Sequence, residues 1–159
     1  MSYPDQRYFS DTGEVIGTFR PADTPPEITF ASGGTCSLLS TDKDSGGLYG
    51  LYRWDFAATP SGPGTHFHKT MSEAFCNLKG AVRLFNGEKW VEATPGDYLF
   101  VPPGGLHAFR NESGEEASML LMFAPGAPRE NYFRGLVEGL PAKLGEEFFL
   151  EHDQYNVRD

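Results

Sequence analysis

HFHKTMSEAFCNLKG, residues 66–80, places two of the chain's four histidines one residue apart, with a glutamate close behind. Residues two apart in a strand point to the same face, so His66 and His68 present both imidazoles on one side while Phe67 points to the other. Glu73, on the following strand, approaches the same spot if the intervening KTMS turns the chain. A third histidine, His107, stands in GDYLFVPPGGLHAFRN, residues 96–111. The fourth, His152, lies in the acidic C-terminal tail and reads as solvated.

Around these segments glycine and proline recur at short intervals, and between them lie brief runs rich in aromatic and branched residues, the pattern of strands joined by turns. Strands are predicted over 28–31, 36–40, 48–56, 66–68, 73–78, 81–85, 89–93, 98–101, 107–110 and 118–123. The chain is therefore mostly β, a sandwich or a barrel. Lys79-Gly80 and Asn86-Gly87 mark turns, and the second is the dipeptide that type I′ hairpins favour because both central residues need positive φ. After Phe123 the pattern changes. Pro128 suits a first helical turn, Tyr132, Phe133, Leu136, Val137 and Leu140 recur at helical spacing, and Pro141 ends the run, which predicts one amphipathic helix whose aromatic face packs on the β core. The prolines of RPADTPPEITF favour extended backbone, so the N-terminal segment reads as an arm. It could form an edge strand within the chain or be exchanged between two copies to build a homodimer.

The length, 159 residues, suits one domain. A net charge of -9 repels phosphate backbones and anionic lipid headgroups, which argues against nucleic acid and membrane partners. No apolar run reaches the ~20 residues of a membrane span, and the N-terminus lacks the basic and apolar regions of a leader, so a cytoplasmic location is expected. Two cysteines, Cys36 and Cys76, are too few for a disulfide framework and read as reduced thiols.

The two histidine segments carry a resemblance. The first reads H-x-H-x4-E-x6-G from His66 to Gly80, and the second reads G-x5-P-x-G-x2-H-x3-N through Gly96, Pro102, Gly104, His107 and Asn111. Together they resemble the two signature motifs of the cupin superfamily. The first departs once: a glycine is usual six residues before the first histidine, where this chain has Pro60, with Gly62 and Gly64 nearby. The resemblance implies a double-stranded β-helix, or jelly-roll barrel, over 31–125, with an arm over 1–30 belonging to the same domain and a helical tail over 126–159. It also implies one divalent metal held by His66, His68, Glu73 and His107. Three imidazoles and a carboxylate suit Fe(II), the first expectation, as well as Ni, Mn, Cu or Zn, whereas Ca and Mg prefer oxygen shells. Four protein ligands in an octahedral site leave two open positions, the mark of a working metal.

Parity along the strands points Phe75 and Asn77, with Glu73, and Phe109, with His107, toward the barrel interior as pocket residues; ordinary core packing is the other account of the aromatics. Met119, Leu121 and Phe123, or else the alternate face with Leu120 and Met122, add an apolar wall. Cys76 faces away from the metal, and Asn111 closes a turn. The runs TDKDSGGLYGLYRWDF, PSGPGTHFHKTMSEAF and APGAPRENYF are similar to small bacterial cupins grouped with quercetin dioxygenases. That similarity implies an O2-dependent dioxygenase acting on a small aromatic or enolisable molecule, with Glu73 as ligand and general base. Cupin polyketide cyclases and isomerases, which use a non-redox metal, offer a second expectation, and a non-catalytic metal- or small-molecule-binding cupin a third.

Overall fold

The computed structural model of the protein describes residues 2–158. Its elements run β1 (Ile28–Thr29), β2 (Thr35–Ser40), β3 (Gly50–Phe56), β4 (His66–Phe67), β5 (Ser72–Lys79), β6 (Val82–Phe85), β7 (Trp90–Ala93), β8 (Tyr98–Val101), β9 (Ala108–Arg110), β10 (Ala117–Ala124), α1 (Arg129–Val137), α2 (Leu140–Leu144), α3 (Glu146–Glu151) and β11 (Tyr155–Asn156). The large sheet has the order β1-β2-β3-β10-β5-β8 and is antiparallel throughout. A smaller sheet, β7-β6-β9, is extended by a backbone bridge in which His66 and His107 exchange N–H···O bonds of 3.0 and 2.9 Å, leading on to β4 and β11. Both sheets contribute to one core, with Tyr52, Phe75, Leu121 and Phe123 from the first and Val82, Leu84 and Phe109 from the second. The fold is the expected double-stranded β-helix.

Alternation along β10 settles which face looks inward. Met119, Leu121 and Phe123 are buried while Met122 is 38% exposed, because Phe123 stands opposite Glu73 on β5 and shares its inward side. Cys76, opposite Tyr98, is on the other face and only partly buried. Gly80 turns the chain from the large sheet to the small one at φ 69°, and a Cβ there would lie 2.6 Å from the carbonyl oxygen of Glu116.

Three expectations are corrected. Asn86-Gly87 is not a type I′ turn, since Gly87 has a positive φ and Asn86 does not. The β6–β7 connection is a four-residue loop in which the Asn86 side-chain oxygen accepts the N–H groups of Glu88 and Lys89 at 3.0 and 2.9 Å, offering the backbone a local alternative to the tight hairpin. The single C-terminal helix is three short ones. Gly139, at φ 70°, breaks the helical run, and Pro141 helps to start α2 rather than ending α1, because a proline's missing N–H costs nothing in a first turn. His152 is partly buried rather than solvated, its ring 4.8 Å from that of Phe148 and 5.6 Å from that of Tyr132.

Within the N-terminal segment, β1 pairs with β2 of the same chain, and Arg20 ties the segment down by an ion pair to Glu27 and a 3.3 Å bond to the carbonyl of Leu38. Phe9, Val15, Ile16 and Phe19 are exposed. Among the described residues no helix is long and apolar enough to cross a membrane.

Candidate metal centre

His66 opens β4, His68 follows it, Glu73 is the second residue of β5, and His107 directly precedes β9. The bridge between His66 and His107 and the turn between β4 and β5 bring all four side chains to one buried point, where their ligand atoms lie within 4.8 Å of one another. Glu73 Oε2 is 2.7 Å from His107 Nε2 and 3.1 Å from His68 Nε2.

The other ring nitrogens define the chemistry. Nδ1 of His66 faces the carbonyl of Gly64 at 2.9 Å, that of His68 the carbonyl of Asp153 at 2.7 Å, and that of His107 the carbonyl of Gly105 at 2.9 Å. A carbonyl only accepts, so each Nδ1 donates, and in neutral rings each Nε2 keeps its lone pair. Two such lone pairs facing a carboxylate at hydrogen-bond distance need positive charge between them. Protons can answer this at the two imidazoles facing Glu73; a divalent cation answers it for all four ligand atoms at once. The residues therefore fit one transition-metal ion, with backbone carbonyls orienting every imidazole from behind.

Burial pushes the His66 imidazole down to about 3, assisted by the positive charge available to His107, so this ring is neutral. Burial alone would raise the Glu73 carboxyl, but the charge and hydrogen bonds of His107 and then His68 outweigh it and hold the group ionised. His107 shows the reciprocal balance: burial lowers it, and the adjacent Glu73 carboxylate raises it further than that.

A cavity of about 410 Å³ opens beside His66 and Glu73, within the range of small-molecule sites. Phe109 lines it. Phe75 and Asn77 do not. Phe75 is fully buried beneath the centre, its ring 5.9 Å from His107 and 5.8 Å from Phe109. Asn77 shares the inward parity of Glu73 but lies four residues further along a strand that advances ~3.3 Å per residue. There its amide donates to the carbonyls of Gly80 and Ala93 at 2.7 and 2.9 Å, closing the far end of the barrel. Asn111 is structural as expected, its side chain tying Ala57, Ser113 and Glu115 together.

Trp54, Tyr132, Phe133 and Arg129 line the cavity without having been singled out for it in the sequence. The helical spacing of Tyr132 and Phe133 was visible, but the same stripe serves core and cavity alike: Phe133 meets Tyr52 edge-on at 5.5 Å and Trp54 at 5.3 Å. Arg129 carried no signal, because its burial depends on the C-terminal segment folding back over it. Near Pro60, where the motif has glycine, Gly62 makes a close approach that only glycine allows. A Cβ at Gly62 would collide with the carbonyl of Phe109, and the neighbouring Ser61 pairs with Asn111.

Residues 53–123, which hold all four ligand candidates, match the family model described as the cupin domain, Cupin_2. The matched segment is similar to the cupin domain, and with the fold it supports membership of the cupin superfamily. Over 71 residues the chain is 31% identical to quercetin 2,3-dioxygenase of Bacillus subtilis (strain 168), covering 45% of the chain and 20% of that enzyme's length. In fold it is similar to KdgF from Halomonas sp., with a TM-score of 0.62 at 12% identity over 72% of this chain and 99% of that one. It is also similar to the polyketide cyclase RemF from Streptomyces resistomycificus, with a TM-score of 0.58 at 18% identity over 72% and 82% of the two chains. At those identities the likeness to the solved structures is one of fold.

Proposed function

We propose that this cupin is a metal-dependent oxidoreductase of the dioxygenase type, acting on a small, planar, aromatic or enolisable molecule. The observation that carries the reading is the convergence of three imidazole Nε2 atoms and one carboxylate oxygen at the edge of an aromatic cavity. The partial likeness to quercetin 2,3-dioxygenase supports the choice of reaction. His66, His68, Glu73 and His107 hold the ion, Fe(II) first among those the donor set suits, with Ni, Mn, Cu and Zn also compatible. A metal held by these residues would supply Lewis-acid and O2-activating redox chemistry.

The remaining work falls to the protein. Trp54, Phe109 and Phe133 all line the cavity, and Trp54 packs edge-on against the other two at ring-centroid distances of 5.5 and 5.3 Å, giving one continuous aromatic wall against which a flat ring can lie. Glu73 accepts the proton of the substrate hydroxyl on a carboxylate oxygen, and burial shields the exchange from bulk water. The experiment is metal analysis of untagged protein followed by oxygen-electrode assays with a panel of phenolic substrates. O2 consumed in proportion to product supports the reading. Product formed without O2 replaces it with the non-redox cyclase or isomerase reading; the fold relative RemF is a polyketide cyclase. Saturable binding without product replaces it with a binding protein.

A further inference from the structure

Apart from Glu73, Arg129 is the one side chain bearing a permanent charge among the described residues that line the metal cavity. It opens α1 and is only 3% exposed. Its guanidinium lies against three rings of the wall, 4.2 Å from Tyr132, 5.1 Å from Phe123 and 5.7 Å from Phe133. Phe123 in turn lies 6.1 Å from the ring of His68, so Arg129 and the metal centre flank the same aromatic side chain.

The polar partners of Arg129 do not neutralise it. One terminal nitrogen donates to the carbonyl of His152 at 2.7 Å and the other to Gln154 Oε1 at 3.1 Å, both uncharged. Nε is buried without any partner. Among the described residues no carboxylate forms an ion pair with this guanidinium, in a chain with 22 acidic residues. Buried charges are ordinarily paired, and an unpaired one is costly. With a divalent ion on Glu73 the cavity already holds one uncompensated positive charge, and Arg129 makes two. Glu73 and Asp153 favour the charged guanidinium only through space, neither within ion-pair distance, and on its other side Arg129 borders a surface hollow that carries Glu151 and Asp153. A small anion would meet the guanidinium away from Glu151 and Asp153 in the metal cavity that Arg129 also lines.

We infer that the molecule this cavity takes is an anion: a planar aromatic acid or enolate whose ring lies among the aromatic walls and whose charged oxygen is received by Arg129. This rests on the cavity being the substrate site, as proposed above, and it narrows the substrate class from aromatic to acidic aromatic. A guanidinium suits the task because its donors lie in one plane and match a carboxylate or enolate oxygen.

The test compares 2-naphthoate with the neutral 2-naphthamide by titration calorimetry against wild-type protein, R129Q, R129K and a His66→Ala/His107→Ala variant. Wild type should bind the acid at least about tenfold more tightly than the amide, a factor worth 1.4 kcal/mol. R129Q should lose most of that preference while its metal content stays as in wild type, and R129K should recover part of it. The preference should persist in the His66→Ala/His107→Ala variant, where Arg129 rather than the metal must supply it. Equal binding of acid and amide to wild type, a preference unchanged in R129Q, or its disappearance when only the metal ligands are removed would each overturn the inference. If R129Q does not fold, the metal-ligand variant still decides between Arg129 and metal. Absence of metal from wild type would count against the proposed reaction while leaving the acid preference measurable.

Discussion

The Nδ1–H of His68 donates to the main-chain carbonyl of Asp153 at 2.7 Å, across 85 positions of sequence. Asp153 is held for this purpose. It is the one non-glycine among the described residues with a positive φ, 54°, and its carboxylate accepts the N–H groups of Lys69 and Thr70 and the Thr70 hydroxyl. The next residues form β11, which pairs with β4 at Tyr155 and Asn156. The C-terminal segment thus sets the orientation of a candidate metal ligand, and with Arg129 it forms part of the cavity wall.

Asp153→Ala should accordingly weaken metal binding while leaving the barrel folded. The variant keeps the carbonyl but removes the carboxylate that anchors it to Lys69 and Thr70, and the about 10–100-fold cost of losing an orienting group is the upper bound on the effect, read by competition with a coloured chelator. The melting temperature should fall modestly, since alanine also tolerates the positive φ less well than aspartate. Unchanged affinity would show that His68 is oriented without the C-terminal segment.

Alanine at His66, His68 or His107 should each deplete bound metal, as measured by mass spectrometry of protein purified without a tag. Chelator treatment of wild type should lower its stability, by about 2.7 kcal/mol relative to protein held at 100 times the metal dissociation constant. Glu73→Gln keeps the size of the side chain but removes the charge that the imidazoles face, so occupancy should fall. If E73Q retained both metal and full activity, the general-base role would be excluded.

Asn77→Ala should destabilise without touching the site. It removes two hydrogen bonds and strands the carbonyls of Gly80 and Ala93, a loss of about 2–3 kcal/mol in a urea melt. Metal content should be that of wild type. Phe75→Ala, by contrast, empties the fully buried position under His107 and should cost about 3–5 kcal/mol.

Cys36 should behave as an inert thiol. Burial, reinforced by the negative charges of Glu27 and Asp55, pushes it up to about 12 from an ordinary 9.0. Below pH 9 both folded and unfolded chains hold the proton. Between 9 and 12 the unfolded chain alone releases it, so this thiol's contribution to stability falls as pH rises through that window. Urea melts from pH 8 to 11 should show a steeper decline for wild type than for Cys36→Ala, and iodoacetamide should label Cys36 only after unfolding.

The homodimer expected from exchange of the N-terminal arm can be tested apart from the arm, since the edge strand β8 exposes the rings of Tyr98 and Phe100. Light scattering should give twice the 17.5 kDa chain mass, and Phe100→Glu should reduce it to the monomer's. A monomeric wild type would end that proposal.

The mostly β character and the shared face of His66 and His68 were legible because they depend on local rules, whereas the jelly-roll barrel and the convergence of all four side chains were expectations from the resemblance to the cupin motifs. Alternation in strands, the H-x-H spacing and the glycines between apolar runs act over a few residues, and the strand ends moved by no more than two positions where β3 and β1 meet their turns. The failures have three causes. Asn77 and Phe75 have the parity of Glu73, but parity reports the face and not the depth, and depth is set by where the opposite sheet closes. Asn86 adopted a local side-chain turn that the dipeptide alone does not reveal. His152, Gln154 and β11 sit in a polar tail without strand periodicity, and they gain their roles from partners at Arg129 and β4 far earlier in the chain.

By itself, then, the sequence determined that the chain is mostly β and that His66 and His68 share a face, since both follow from the two-residue period of strands and the placement of turns, and its motif resemblance added Glu73 and His107 as partners. Only the tertiary structure decided what surrounds that centre: the tail carbonyl behind His68, the aromatic wall contributed by α1, and the unpaired guanidinium of Arg129. The physical reason is that burial and charge compensation are properties of groups brought together from distant segments, and no window of sequence contains both partners.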